Sequence, residues 1–448
     1  MIAPLHKHFL GSGLGSILIK AVAGSAGLRI LGMGFGFLVG VQLARGLGAE
    51  GYGIYGVAMS IIALLTVPTE FGLPQLLTRE VAVAKVEKDW GRMKGILRWS
   101  SRVSLLISAV IGVGVVAWLL LSGHGLGSPL GTTLLAGVLM VPVVAQLSMR
   151  SAALRGLQLI VRGQLPDVLV RPMLYSALLF LASLWFVPMT PARAMALGVL
   201  AAAIALIVAL YMLHGSMPEE TTAAAPVVDA LGWWSSALPM ALTEGMRLLQ
   251  SHLLILLLGA MVAMSEVGVY RVASSVMLLV AMPISLANIV SMPVIARLHA
   301  SGDRQRLGRM FALLSAGMTT GIVVLSLPFL LGGEWLFSTV FGSEFGAANL
   351  VLVILCVGVA IDAAVGVSAA LLNMTGHQSK VTRAALIALI VLAACAPPLI
   401  LAFGIVGAAV SSSISLMVWK VLMWRDCVKL LSYDTSLFAL VRSLNRFR

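Results

Sequence analysis

Apolar runs long enough to cross a lipid bilayer follow one another along nearly the whole chain, with only short breaks between them. A helix needs roughly 20 apolar residues to traverse a hydrocarbon core of about 30 Å. Twelve such runs are expected, at 17–43, 52–76, 100–121, 130–149, 166–187, 191–213, 234–261, 268–292, 310–331, 347–373, 381–403 and 405–425. They are rich in Leu, Ala and Val and lack period-two alternation, which excludes a transmembrane β-barrel. Inside lipid the backbone must satisfy its own hydrogen bonds, so the runs have to be helices. The predicted fold is therefore all-α and polytopic. Charged residues make up only 10% of the 448 positions, against about 25% in a soluble domain, which leaves almost no room for one.

Turn signals mark the ends of the runs: Gly48 and Gly51, Gly123 to Pro129, Pro188 and Pro191, Gly302, Gly332 and Gly333, and Gly404. Segment 214–232, with Pro218, Glu219, Glu220, Pro226 and Asp229, is the best linker. The expected organisation is a six-helix bundle over 1–213, a linker over 214–232, a second six-helix bundle over 233–425 and a basic tail over 426–448. In that tail Leu437, Leu440, Val441, Leu444 and Phe447 form an apolar stripe beside Arg442, Arg446 and Arg448, suited to a membrane interface; a frayed tail is the competing reading. The first fifteen residues are too short for a signal peptide, so the first run is expected to persist as a helix.

A net charge of +13 would suggest nucleic acid in a soluble protein. Here the basic residues sit between membrane spans, as the positive-inside rule requires, and no nucleic-acid partner is expected. With the N-terminus, alternate loops and the C-terminus on one side, that side holds 24 of the 30 Lys and Arg residues, including seven from Arg79 to Arg102. The other side holds Arg45, Arg193 and Arg271. This asymmetry puts both termini in the cytoplasm and requires an even number of spans.

A weak repeat runs through the chain. Gly53-Ile54-Tyr55 matches Gly268-Val269-Tyr270, and at the same offset Ala58 matches Ala273, Ser60 matches Ser275 and Pro68 matches Pro283. Parallel repeats of this kind, related by an axis along the membrane normal, are a transporter architecture.

No catalytic constellation, phosphate loop or metal-ligand spacing is visible, so neither an enzyme nor a bound cofactor is expected. Cys356, Cys395 and Cys427 read as small apolar fillers. Gly32, Gly36 and Gly40 recur every four residues, which favours close helix packing. The informative residues are the charges inside spans, each costing about 2.5–3.5 kcal/mol at a helix centre. Arg29 in the first run and Arg247 in the seventh are each near mid-depth and are candidates to bind an anionic headgroup in a central cavity. Glu244, three residues before Arg247, can instead pair with it. Lys20 can snorkel to the interface. Glu70 follows Pro68 near the end of the second run. Asp362 lies near the centre of the tenth, with Gly358, Gly366 and Asn373 on about the same face. Asp362, Glu244 and Glu70 are candidates for coupling to Na⁺ or H⁺; for Asp362, service as counter-ion to an arginine of another helix is an equal alternative. Pro68 and Pro283 are the hinge candidates.

Leu43 to Tyr55 (LARGLGAEGYGIY) resembles the first-hairpin signature of polysaccharide-biosynthesis exporters. These are the Wzx-type oligosaccharide flippases of the multidrug/oligosaccharidyl-lipid/polysaccharide (MOP) superfamily. Glu70-Phe71-Gly72-Leu73 resembles that family's acidic-x-Gly-Leu element. Ala153 to Leu157 with Arg171-Pro172 resembles the join between its fourth and fifth helices, and Phe341 to Phe345 the element leading into its tenth. The resemblance implies two six-helix bundles forming a V, as in the MATE transporters. It implies flipping of a polyprenyl-diphosphate-linked oligosaccharide across the bacterial inner membrane for surface polysaccharide such as lipopolysaccharide. Membrane lipids and polysaccharide polymerase or assembly proteins are the implied partners. Cavity-lining basic residues would meet the diphosphate, for which Arg29 and Arg247 are the candidates by depth. Glu244 departs from a purely cationic cavity, and twelve runs depart from the fourteen helices of lipid II flippases.

The competing functions are a cation-coupled drug antiporter of the same fold, which needs an acidic cavity, and a passive scaffold of an envelope-polymer assembly complex, which needs no charge at mid-membrane. The sign of the cavity charge separates flippase from antiporter.

Overall fold

The computed structural model describes residues 14–121, 127–184, 188–300 and 303–437. Two glycines shape its longest helices. Helix α1 (Leu14–Glu70) passes through Gly48, where φ of 67° leaves the helical region. A straight helix would hold residues 40 and 52 about 18 Å apart, yet the Tyr52 hydroxyl lies 3.7 Å from where a Cβ on Gly40 would stand. The chain reverses at Gly48, making two antiparallel arms. Glycine takes this φ without the steric penalty of a Cβ.

After Glu70, Phe71 and Gly72 both have positive φ and start α2 (Leu73–Glu87). The expected run 52–76 therefore ends at Glu70. Helix α2 buries Leu73, Leu76, Leu77, Val81 and Ala84 on one face, the spacing of an amphipathic helix. Its buried Glu80 accepts from Arg92 Nε at 3.0 Å, which ties it to α3 (Trp90–Leu121). Helix α4 (Pro129–Gly137) is N-capped by Ser128, whose hydroxyl accepts from Gly131 N at 3.0 Å. Next come α5 (Met140–Gly156), α6 (Ile160–Leu165), a π-helical turn at Pro166–Val170, α7 (Arg171–Leu184), α8 (Pro191–His214) and the short α9 (Glu219–Ala223).

The linker is bound down rather than free. Val227 N donates to the Gly91 carbonyl at 3.0 Å, and Lys94 Nζ to the Ala224 carbonyl at 2.8 Å. Helix α10 (Ala230–Met261) follows. Its first turns join the core of earlier residues: Trp233 and Ala237 are buried with Leu73, Met149 and Leu213. Helices α11 (Met264–Val280) and α12 (Met282–Ala300) meet at a 44° bend, and Pro283 stands just past the bend. Helices α13 (Arg304–Val340), α14 (Ala348–Val365), α15 (Ser368–Met374) and α16 (Gln378–Asp426) complete the order. In α16 the chain reverses at Gly404, φ 58°: Ser415 Oγ donates to the Ala388 carbonyl at 2.7 Å, which one continuous helix would hold about 40 Å away.

Nine helices among the described residues are long and apolar enough to cross a membrane, or ten with the bent pair at α11–α12. The expected number of runs was twelve; the shorter count takes α1 and α16, each folded back on itself, as single helices. The chain is an all-helical, multi-pass membrane protein.

The repeat has a structural counterpart. A Cβ on Gly53 would meet the Met264 carbonyl oxygen at 1.8 Å, and one on Gly268 the Ala49 carbonyl oxygen at 2.0 Å. These residues are related by the repeat offset, so each helix approaches the other at the equivalent glycine. A twofold relation between two copies of one unit produces this reciprocity. Cys356 and Cys427 are buried and Cys395 partly so, in keeping with apolar filling. Of the tail stripe, Leu440, Val441, Leu444 and Phe447 lie outside the described residues.

Candidate functional site

A charged cavity of about 540 Å³ lies between both arms of α1 and helices α5, α7, α8 and α10. Its upper wall is apolar and aromatic. Tyr175 donates to the Ala194 carbonyl at 2.9 Å, and its hydroxyl lies 3.1 Å from that of Tyr55. His252 Nδ1 lies 3.2 Å from Ser60 Oγ.

The lower wall carries the charge. The π-helical turn precedes α7 and sets Asp167 and Arg171 one turn apart, with Arg171 Nη1 3.1 Å from Asp167 Oδ1. Such π segments recur at functional sites. On α10, Arg247 Nε donates to Glu244 Oε1 at 3.1 Å and to Oε2 at 3.2 Å, the pairing that i,i+3 spacing allows. Glu70, at the end of the second arm of α1, lines this wall with Ser148 of α5. A second cavity of about 360 Å³ shares Glu70, Ser148 and Glu244 and adds Arg155. Together the two spaces hold Arg155, Arg171 and Arg247 against Glu70, Asp167 and Glu244. The sum is balanced, so the sign test that was to separate the readings returns neither sign.

Arg29 is elsewhere. It is exposed and lines a separate cavity of about 350 Å³ with Val168, Met282 and Ser285. The expectation of one central cavity holding both Arg29 and Arg247 fails in this conformation, because depth along a helix says nothing about which way a residue faces. Gly32 does pack closely: a Cβ there would lie 2.2 Å from the Val168 carbonyl oxygen. Gly36 instead opens onto the first cavity, where a Cβ would meet nothing.

Asp362 is not a lone carboxylate. Lys420 Nζ of α16 stands 2.6 Å from its Oδ1, with side chains only 8% (Lys420) and 12% (Asp362) exposed. The counter-ion alternative describes it, with a lysine in place of an arginine. The face expected to join it to Asn373 is broken at Gly366, φ 85°, where α14 ends.

Asp167, Arg171, Arg155 and His252 were not selected as site residues from the sequence. The i,i+4 spacing of Asp167 and Arg171 was a readable signal. Arg271, assigned to an outer loop, packs from α11 over the rings of Tyr52 and Tyr55, 5.2 Å from each centroid.

The motifs at 43–55 and 341–345 meet each other. Arg45 donates through Nε to the Val340 carbonyl at 2.7 Å and through Nη2 to that of Thr339. Glu344 Oε2 accepts from Ala49 N at 2.8 Å, just past the Gly48 break. Phe37 and Phe341 pack edge to face at 5.7 Å. This clasp lies at the Gly48 end of the second arm of α1, opposite Glu70.

Helices folded back on themselves, a charged cavity among them and a clasp at one end make up a fold that solved membrane transporters share. The chain is similar to a multidrug resistance MATE family transporter in an inward-facing conformation, with a TM-score of 0.70, 13% identity and coverage of 88% of this chain and 96% of that one. It is similar to the lipid II flippase MurJ in an inward closed conformation, with a TM-score of 0.68, 12% identity and coverage of 94% and 91%. A MOP superfamily transporter from Pyrococcus furiosus, described as having reverse polarity in its binding pocket, matches with a TM-score of 0.62, 13% identity and coverage of 90% and 94%. The polysaccharide biosynthesis protein family model matches residues 18–299, more than half of the chain, and the protein belongs to that family. A curated relative, stage V sporulation protein B of Bacillus subtilis (strain 168), is 36% identical over 75 residues, which are 17% of this chain and 14% of that protein. The chain is thus a multi-pass membrane protein of the polysaccharide biosynthesis protein family, with the fold of those solved transporters.

Proposed function

We propose that the protein flips a polyprenyl-diphosphate-linked oligosaccharide from the cytoplasmic to the periplasmic leaflet of the bacterial inner membrane, by alternating access, for surface polysaccharide biosynthesis. The observation that carries this reading is the cavity in which Arg171 and Arg247 stand at membrane depth beneath an aromatic roof. A diphosphate cannot cross hydrocarbon unaided, because burying its charge is prohibitive. Arg171 offers one contact to Asp167, which leaves further guanidinium N–H donors for an incoming phosphate. Glu244 then acts as a displaceable counter-ion that keeps Arg247 satisfied while the cavity is empty. The Tyr55 and Tyr175 rings suit the sugar, and the prenyl tail stays in lipid.

On this reading, each arm of α1 and α16 is a span and α11 with α12 another, giving twelve crossings in two six-helix units, 1–213 and 233–425. Both termini are cytoplasmic, from the Lys/Arg asymmetry. The clasp at Arg45 and Glu344 is then periplasmic and shut, with the cavity reached from the cytoplasm. The units rock about the axis between Gly53 and Gly268, with the breaks beside Pro68 and Pro283 as hinges. Arg29 meets the substrate only in another conformation.

The second reading, a cation-coupled antiporter, is favoured by the three carboxylates of the cavity. It places Na⁺ or H⁺ at Glu70 and Glu244, which line the cavity, since Asp362 lies apart, sealed against Lys420. The test is reconstitution in proteoliposomes with a fluorescent polyprenyl-diphosphate oligosaccharide. Flipping above protein-free vesicles is expected; no flipping, with cation-driven efflux of drugs instead, would give the antiporter.

A further inference from the structure

A further, smaller recess lies far along the chain from the cavity at Arg247. It occupies about 100 Å³ between the start of the first arm of α16 and the end of its second, room for about three waters by liquid volume. Lys380, Arg383, Ala384 and Ile387 approach it from one arm, and Leu422, Arg425 and Asp426 from the other. Both sets follow i,i+3,i+4 spacing and so share one face of each arm.

Three cations converge here with one carboxylate. Among the described residues no ion pair joins Lys380, Arg383 or Arg425 to any acid. The segments outside the described residues contain no Asp or Glu, so none of their side chains could neutralise the cluster. Like charges gathered this closely repel, and an anion between them offsets that repulsion.

The order of residues along the arms narrows the choice of anion. Both arms run from the recess towards the Gly404 reversal, through the apolar body of α16. Ile387 and Leu422 lie on that deeper side, and Lys380, Arg383 and Arg425 at the outer ends. Cations at the mouth over an apolar floor match an amphiphile, phosphate outward and glycerol and acyl carbons inward. Basic pockets between spans on the Lys/Arg-rich face are suited to such headgroups.

We propose that this recess binds the phosphate of an anionic phospholipid, bridging the two arms of α16 at their open ends. At the other end the arms are joined covalently through Gly404, and between the two ends by Ser415 to Ala388. A bound headgroup therefore supplies the missing tie and stabilises α16.

The experiment measures the thermal midpoint of the purified full chain in phosphatidylcholine micelles as phosphatidylglycerol is titrated in, with inorganic phosphate as a parallel arm. Phosphatidylglycerol is expected to raise the midpoint of the wild type. At about 1 kcal/mol per cation, each loss weakens the response about fivefold, so Lys380→Gln with Arg383→Gln shifts the half-maximal lipid more than tenfold. Each variant is compared with its own phosphatidylcholine baseline, which separates lost lipid response from lost folding, and the charge-keeping Arg383→Lys, Arg425→Lys variant keeps the response. Lys429→Gln, an exposed cation just outside the recess, leaves it unchanged. An equal response to inorganic phosphate would overturn the lipid assignment in favour of a free anion. An unchanged response in the double variant, or an equal loss in Lys429→Gln, would overturn the site.

Discussion

Two sets of charges stand within the spans, and they are built in opposite ways. In the cavity beside α10 each acid–arginine pair lies within a single helical segment, Asp167 with Arg171 and Glu244 with Arg247. Arg247 remains 64% exposed to the cavity. In the second half, Lys420 and Asp362 join two helices, and both are nearly sealed from solvent. A local, open pair costs little to rearrange. A sealed pair between helices becomes an uncompensated buried charge when either partner is lost. Membrane-depth charge is thus a general sign of importance, whereas its connectivity and exposure separate the residues that can take part in transport from those that hold helices together.

The sharpest way to break this contrast is Lys420→Met. It leaves Asp362 buried without its partner and should cost about 3–5 kcal/mol, read as a lower thermal midpoint in detergent. Pairing it with Asp362→Leu should recover most of that loss, since an apolar pair of similar size needs no counter-charge. A next effect falls on the clasp. Glu344→Gln weakens a charged hydrogen bond to Ala49 N worth about 1.5–3 kcal/mol, and spin labels at Glu50 and Ala347 should report a broader, longer distance distribution. Gly404→Ala imposes left-handed geometry on a residue with a Cβ and should cost about 1–2 kcal/mol, again read by the thermal midpoint. The smallest effect on stability belongs to the cavity: Arg247→Gln should change it by less than about 1 kcal/mol.

The class of fold was legible because lipid permits few solutions: apolar length alone dictates helices, and Gly48 and Gly404 mark the reversals. The repeat was legible in Gly53 and Gly268, where a side chain would collide with the opposing backbone. Partnerships across helices were not legible. Asp362 and Lys420 are 58 positions apart, and nothing in their local spacing announces the pair. Arg29 shows the same limit: its depth could be read, but the direction it faces depends on where α12 and the π-helical turn pack. Asp167 and Arg171 could be read as an i,i+4 pair, but the π-helical turn that folds them against the cavity could not.

The central claim is that Arg247 serves transport rather than folding. Flipping of a fluorescent polyprenyl-diphosphate oligosaccharide should be measured in proteoliposomes holding equal amounts of wild type and Arg247→Gln, each with its thermal midpoint. The midpoint should stay unchanged and flipping should fall at least about tenfold, the loss of one charge-assisted contact. Wild-type flipping rates in the variant, or a fall in the midpoint as large as that of Lys420→Met, would contradict it.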